Sequence, residues 1–174
     1  NRLWGLRLAD KELHELAIRL GTDVAFFLKG GTAFGENRGE KLTPLPAPEG
    51  EVKVVILHPP IDIPTKTAVL YAALDSSYHT EGEYTRSLIQ ILRNRNPISE
   101  DLIFNGFEPI APDIFDGLDE FTDAFQRAGA TQVHLCGTGP SLFALTASRQ
   151  AHSIYDQLRF QGYEIYIVNL INSY

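Results

Sequence analysis

Residues 133–145 read "VHLCGTGPSLFAL" and set the turn Gly137-Thr138-Gly139-Pro140 between two apolar runs of buried-strand character. A glycine turn in this position does one of two things. It closes a hairpin, or it lets a ligand come close to the main chain. On the N-terminal side, residues 119–128 carry Phe121, Ala124, Phe125 and Ala128 on one helical face, and Gly129 ends that pattern. On the C-terminal side, residues 151–160 carry Ile154, Tyr155 and Leu158 at helical spacing, and Gly162 precedes a strand over 163–168.

Further upstream, residues 52–57 form a β-branched strand that runs into His58-Pro59-Pro60, an extended loop because proline disfavours helix in the residue before it. Pro64-Thr65 followed by Ala68, Val69, Ala72 and Ala73 predicts a helix from about Thr65, with the Thr65 hydroxyl at its N-terminus, where anions and polar groups are favoured. Residues 84–92 make a second amphipathic helix, and "LIFNGFEPIAPDIF" is irregular or short-helical. The order from residue 52 is strand, helices, strand, turn, strand, helix, strand. That order predicts an α+β domain of the ferredoxin-like split βαβ type, with helices on one face of a mainly antiparallel sheet.

The first fifty residues read differently. Asp10 precedes Leu13, Leu16, Ala17 and Leu20, and Gly21 follows them, which predicts a capped amphipathic helix. Residues 24–28 are too short a run to assign by period. A hairpin follows, with strands over 32–35 and 40–45 around Asn37-Arg38-Gly39. "PLPAPEGE" is a linker by composition, so the chain divides into residues 1–48 and 49–174.

Composition narrows the function classes. The 174 residues are 44% apolar and 21% charged, ordinary for a globular chain. A net charge of -7 without basic runs argues against nucleic acid or an anionic membrane surface as partner. No apolar stretch approaches the roughly 20 residues of a membrane-spanning helix. One cysteine, Cys136, builds neither a disulfide framework nor a thiolate metal site. With no methionine and an opening Asn-Arg-Leu-Trp, the first residue reads as a cut within a longer chain.

Several residues have two readings each. Asp23 follows Gly21 and precedes an apolar run, so it either caps the next helix or orients a bound hydroxyl as an ionised carboxylate. The turn Gly137-Thr138-Gly139 is a hairpin or an anion cradle. His58 lacks a second ligand at metal-binding spacing and reads as structural or solvated. Cys136 reads as a small core residue. Asn105, an amide between apolar neighbours, is expected to be buried and bonded to backbone.

Taken together, several stretches resemble the 4-diphosphocytidyl-2-C-methyl-D-erythritol kinases of the GHMP small-molecule kinase superfamily. "LGTDVAFFLKGGTAFGENRGEKLTPL" is similar to their central signature, "HPPIDIPTKTAVLY" to their proline-threonine segment, "FNGFEP" to their asparagine-glutamate segment, and "CGTGPSLFAL" to the third superfamily motif. The resemblance implies that Asp23 activates the C2 hydroxyl of the methylerythritol moiety for attack on the γ-phosphate of ATP. It further implies that Gly137, Thr138 and Gly139 border the active site and bind substrate, and that Thr65 lines the sugar-alcohol pocket. Residues 1–48 then correspond to part of the nucleotide-binding N-terminal domain and 49–174 to the substrate-side C-terminal domain.

ATP and Mg2+ are implied as co-substrate and cofactor, bound mainly by a lysine and a phosphate loop that have no counterpart in this sequence. The chain alone is accordingly expected to be inactive. The implied partner is a small molecule, the cytidine diphosphate methylerythritol of the non-mevalonate isoprenoid pathway, in the bacterial cytoplasm or a plastid stroma. Apolar surface around residues 24–28 leaves a homodimer open. Thr22, Ala25 and Cys136 depart from the commoner residues at their positions, which touches pocket shape and not reaction class. Two alternatives stay open: another GHMP kinase, such as a homoserine kinase, and a ferredoxin-like module that binds a small effector without chemistry.

Overall fold

A computed structural model describes residues 1–21 and 23–170. They form two compact units, Asn1–Glu49 with Ile89–Pro97 and Gly50–Leu88 with Ile98–Leu170.

The first unit opens with helix α1 (Asp10–Leu20) and the single turn α2 (Val24–Phe27). The predicted Asp10 cap is displaced by one residue: Ala9, with φ -68° and ψ 158°, is the N-cap. Its N–H donates to Glu12 Oε2 at 2.8 Å, so a carboxylate three residues on does the capping. Strands β1 (Thr32–Glu36) and β2 (Lys41–Leu45) pair antiparallel as the expected hairpin. Their turn uses left-handed Asn37 and Gly39, with φ of 59° and 99°. An ion pair of 2.8 Å between Lys41 and Glu36 joins the last paired residues.

The second unit contains β3 (Lys53–His58), α3 (Lys66–Ala73), α4 (Glu83–Arg93, whose residues from Ile89 are grouped with the first unit), α5 (Ala111–Ile114), α6 (Leu118–Arg127), β4 (His134–Leu135), β5 (Leu142–Thr146), α7 (Ser148–Phe160) and β6 (Glu164–Asn169). The sheet runs β4-β5-β3-β6, and every neighbouring pair is antiparallel. Counting only these strands, the order is second, third, first, fourth. This is the split βαβ topology that the element order predicts.

Alternation along β3 decides which face is covered. Val55 lies across from Ala144 and Ile167, Leu57 across from Leu142 and Ile165. Together with Leu70 of α3, Phe125 of α6, and Ile154 and Leu158 of α7, these side chains make one core. Each large apolar side chain buried there contributes about 1.5–3 kcal/mol. On the opposite face, Tyr166 is 51% exposed and Val168 40%. No helix among the described residues is long and apolar enough to cross a membrane.

One strand falls short of expectation. β4 is only two residues long, because the chain leaves the ladder at Gly137, whose φ is +54°.

Candidate functional site

The glycine turn connects β4 to β5, so its hairpin reading holds. Cys136 N–H donates to Ser141 O at 2.8 Å, and Gly139 N–H donates back to Cys136 O at 2.8 Å. Gly137 and Gly139 are both left-handed, with φ of 54° and 65°, and the Gly139–Pro140 bond is cis. A side chain fits poorly at Gly139: a Cβ there would stand 2.7 Å from Leu135 Cδ1 and 3.1 Å from Phe115 Cε2. At Gly137 a Cβ would meet nothing within 4 Å, so the outer edge of the turn faces open space.

Side chains from outside the turn hold it at each of its three central residues. Asn105 Nδ2 donates to Gly137 O at 2.8 Å and to Leu135 O at 3.0 Å. Thr67 Oγ1 lies 3.3 Å from Thr138 Oγ1, within hydrogen-bond distance. The Lys66 ammonium donates to Gly139 O. The sequence expectation that Asn105 bonds to backbone is thus met, although Asn105 is half-buried rather than buried.

Asn105 is itself fixed by a local turn. Its Oδ1 accepts from Phe107 N–H at 3.0 Å, and its carbonyl accepts from Glu108 N–H at 3.0 Å. The same turn aims Glu108 at the adjoining strand, where Oε1 accepts from Leu135 N–H at 2.9 Å. Oε1 also stands 3.3 Å from Nδ1 of the buried His134, close enough for an ion pair but not aligned as a hydrogen bond. "FNGFEP" therefore anchors both β4 and the turn that follows it.

With the carbonyls of Gly137 and Gly139 taken up by Asn105 and Lys66, the turn has donors left to offer. Among the described residues, the N–H groups of Gly137 and Thr138 meet no main-chain acceptor. These two amides, the Thr67 and Thr138 hydroxyls and the Lys66 ammonium are a donor set suited to an anionic or polyhydroxyl ligand. Cys136, at the base of the turn, is half-buried and not a core residue; burial pushes its thiol above the usual cysteine range and keeps it protonated. His58 is exposed, and its Nδ1 lies 2.8 Å from Ser141 Oγ, which gives it a polar role at the turn's end.

Thr65 occupies the N-cap position of α3, but not as predicted. Its φ of 55° is left-handed and its hydroxyl makes no cap hydrogen bond, since such a backbone does not turn the side chain towards the first-turn amides as an extended N-cap does. Thr65 is exposed and immediately precedes the Lys66-Thr67 pair that reaches the turn. Asp23 lies in the first unit, exposed, at the N-cap of α2. Its side chain makes no cap hydrogen bond, so the capping role that spacing allowed is not the one it plays. Its neighbour Ala25 is fully buried, whereas Phe27 is 64% and Leu28 47% exposed. Thr22 lies outside the described residues.

Sequence reasoning missed Lys66, Thr67 and Glu108. Their one signal is position: Lys66 and Thr67 follow Pro64-Thr65, and Glu108 stands three residues after Asn105.

Residues 87–164 match the family profile "GHMP kinases C terminal". A 4-diphosphocytidyl-2-C-methyl-D-erythritol kinase of Dehalococcoides mccartyi is 39% identical over 173 residues, 98% of this chain and 60% of that protein. The protein of the same name from Alkaliphilus oremlandii is 30% identical over 175 residues, 99% of this chain and 59% of that protein. A crystal structure of 4-(cytidine 5'-diphospho)-2C-methyl-D-erythritol kinase superposes with a TM-score of 0.75 at 25% identity, covering 97% of this chain and 59% of that one. A homoserine kinase from Cytophaga hutchinsonii shares the fold, with a TM-score of 0.65 at 19% identity over 99% of this chain and 61% of that one. The chain thus spans about 60% of the length of the curated relatives it matches. With that profile over 87–164 and similarity along its length to named kinases, this chain carries a GHMP kinase C-terminal domain.

Proposed function

We propose that the chain is part of an ATP-dependent kinase that phosphorylates the C2 hydroxyl of 4-diphosphocytidyl-2-C-methyl-D-erythritol, a step towards isoprenoid precursors in the non-mevalonate pathway. The observation that carries this reading is the 39% identity over 98% of the chain to a kinase of that name. The glycine turn, with the Gly137 and Gly139 carbonyls occupied and the Gly137 and Thr138 amides meeting no main-chain acceptor among the described residues, gives the similarity a chemical basis.

Phosphoryl transfer asks a protein mainly to position an alcohol in line and to neutralise charge on the phosphates. In this proposal Asp23 orients the attacking hydroxyl and accepts its proton as the new O–P bond forms and the bond from the γ-phosphorus to the departing ADP breaks. Gly137 and Thr138 bring main-chain N–H groups to the phosphorylated ligand, and Gly139, whose N–H is bonded to Cys136 O, closes the turn that carries them. Thr65 borders the sugar-alcohol end. Among the described residues, no three His, Cys, Asp or Glu side chains stand together as a metal cage.

The test is a phosphorylation assay on the full-length protein with ATP and either the cytidine diphosphate methylerythritol or homoserine. Turnover of the former with little of the latter is expected; preference for homoserine would overturn the choice of substrate. Asp23→Asn keeps shape and removes the charge, and kcat should drop roughly 10²–10⁴-fold. If that variant runs at the wild-type rate, Asp23 has no part in the mechanism.

A further inference from the structure

We propose that Lys66 is a positioning residue for the glycine turn: it draws the Gly139 carbonyl back, so that the turn offers amides and not oxygens to an anionic ligand. The effect on turnover rests on the kinase reading above, while the effect on the turn does not.

The case begins with what Lys66 does not do. Among the described residues, no carboxylate lies within ion-pair distance of its ammonium. The half-buried side chain instead spends a donor on a main-chain carbonyl 73 residues away in sequence. An ammonium is strongly hydrated, so settling it against one neutral acceptor is costly unless the site gains from its charge. At this turn there is such a gain. Gly139 O would otherwise add a partial negative charge beside the Gly137 and Thr138 amides; the ammonium cancels it and adds a positive charge of the same sign as the amide dipoles. The result is a locally positive rim on a chain whose net charge is -7.

A second tie works in the same direction. Thr67, next in sequence, reaches Thr138 with its hydroxyl, so adjacent residues at the start of α3 hold adjacent residues of the turn. A shift of α3 would carry the turn with it. The left-handed Thr65, φ 55°, bends the chain immediately before this pair.

Lys66→Met keeps most of the stem and removes the ammonium; Lys66→Arg keeps charge and donors. In the full-length protein, amide exchange at Cys136 and Gly139, whose N–H groups close the turn, should quicken in Lys66→Met and return towards wild type in Lys66→Arg. With the cytidine diphosphate substrate, kcat of Lys66→Met should fall roughly ten- to a hundredfold, with KM changed by less than about threefold. Arginine should restore most of the loss. If Lys66→Met does not fold, Thr67→Val removes the second tie and should show the same two effects more weakly.

Unchanged exchange at Cys136 and Gly139 would overturn the inference whatever the substrate proves to be. Faster exchange with an unchanged kcat would overturn it too, by making the clasp irrelevant to chemistry. If the wild-type protein phosphorylates neither alcohol, the kinase reading fails, and the exchange measurement still decides whether Lys66 holds the turn.

Discussion

Gly137 and Gly139 share a left-handed backbone, yet a methyl group would meet very different surroundings at the two. At Gly137 there is open space, so Gly137→Ala should cost only the conformational penalty, about 1–2 kcal/mol. At Gly139 the same change drives Cβ to 2.7 Å from Leu135 and 3.1 Å from Phe115, both in the core, and overpacking adds about 1–3 kcal/mol. Chemical denaturation of the two variants should therefore rank Gly139→Ala clearly below Gly137→Ala. Equal stabilities would mean that the turn is not seated on Leu135 and Phe115. Each glycine has its own reason to be one: the first keeps the rim open, the second lets the turn lie flat on the core.

Among the elements, β3 is central to the sheet, with β5 on one side and β6 on the other. Leu57, fully buried on its covered face, should cost about 2–5 kcal/mol as Leu57→Ala, read as a fall in melting temperature. Tyr166 across the sheet's open face should cost less than half as much on the same change. Much of this was legible in the sequence. Helical spacing located α6 and α7 to within a few residues, because one face of each is buried and leaves a repeat of 3.6, while β-branched composition located β3 and Gly162 marked the start of β6. The site was legible only in part. Gly137, Thr138 and Gly139 stand out by composition, but nothing local says that Asn105 will bond to Gly137 O or Lys66 to Gly139 O, since these contacts join residues 32 and 73 apart. The left-handed Thr65 is likewise a product of tertiary packing, for a β-branched residue has no intrinsic preference for that backbone.

On the scale of the whole molecule, the two units differ in how much they bury. In the first, the buried apolar residues among those described are Ala17, Ala25 and Leu92. The second holds the whole of the core that includes Phe115, Phe125, Leu57, Ile154 and Leu158. Buried apolar area is the main source of local resistance to opening. Native-state hydrogen exchange should therefore be slowest in β3 and β5, and markedly faster in α1 and in the β1–β2 hairpin. Uniform protection across the chain would show that the units open together.

The groups that hold the glycine turn enter the chain in a fixed order: Lys66 and Thr67, then Asn105, then the turn at 137–139. On a ribosome, the clamps leave the exit tunnel long before the thing they grip. The turn thus takes shape only after the groups that grip it have been made, and a nascent chain released before residue 141 has every clamp and no hairpin for them to close upon.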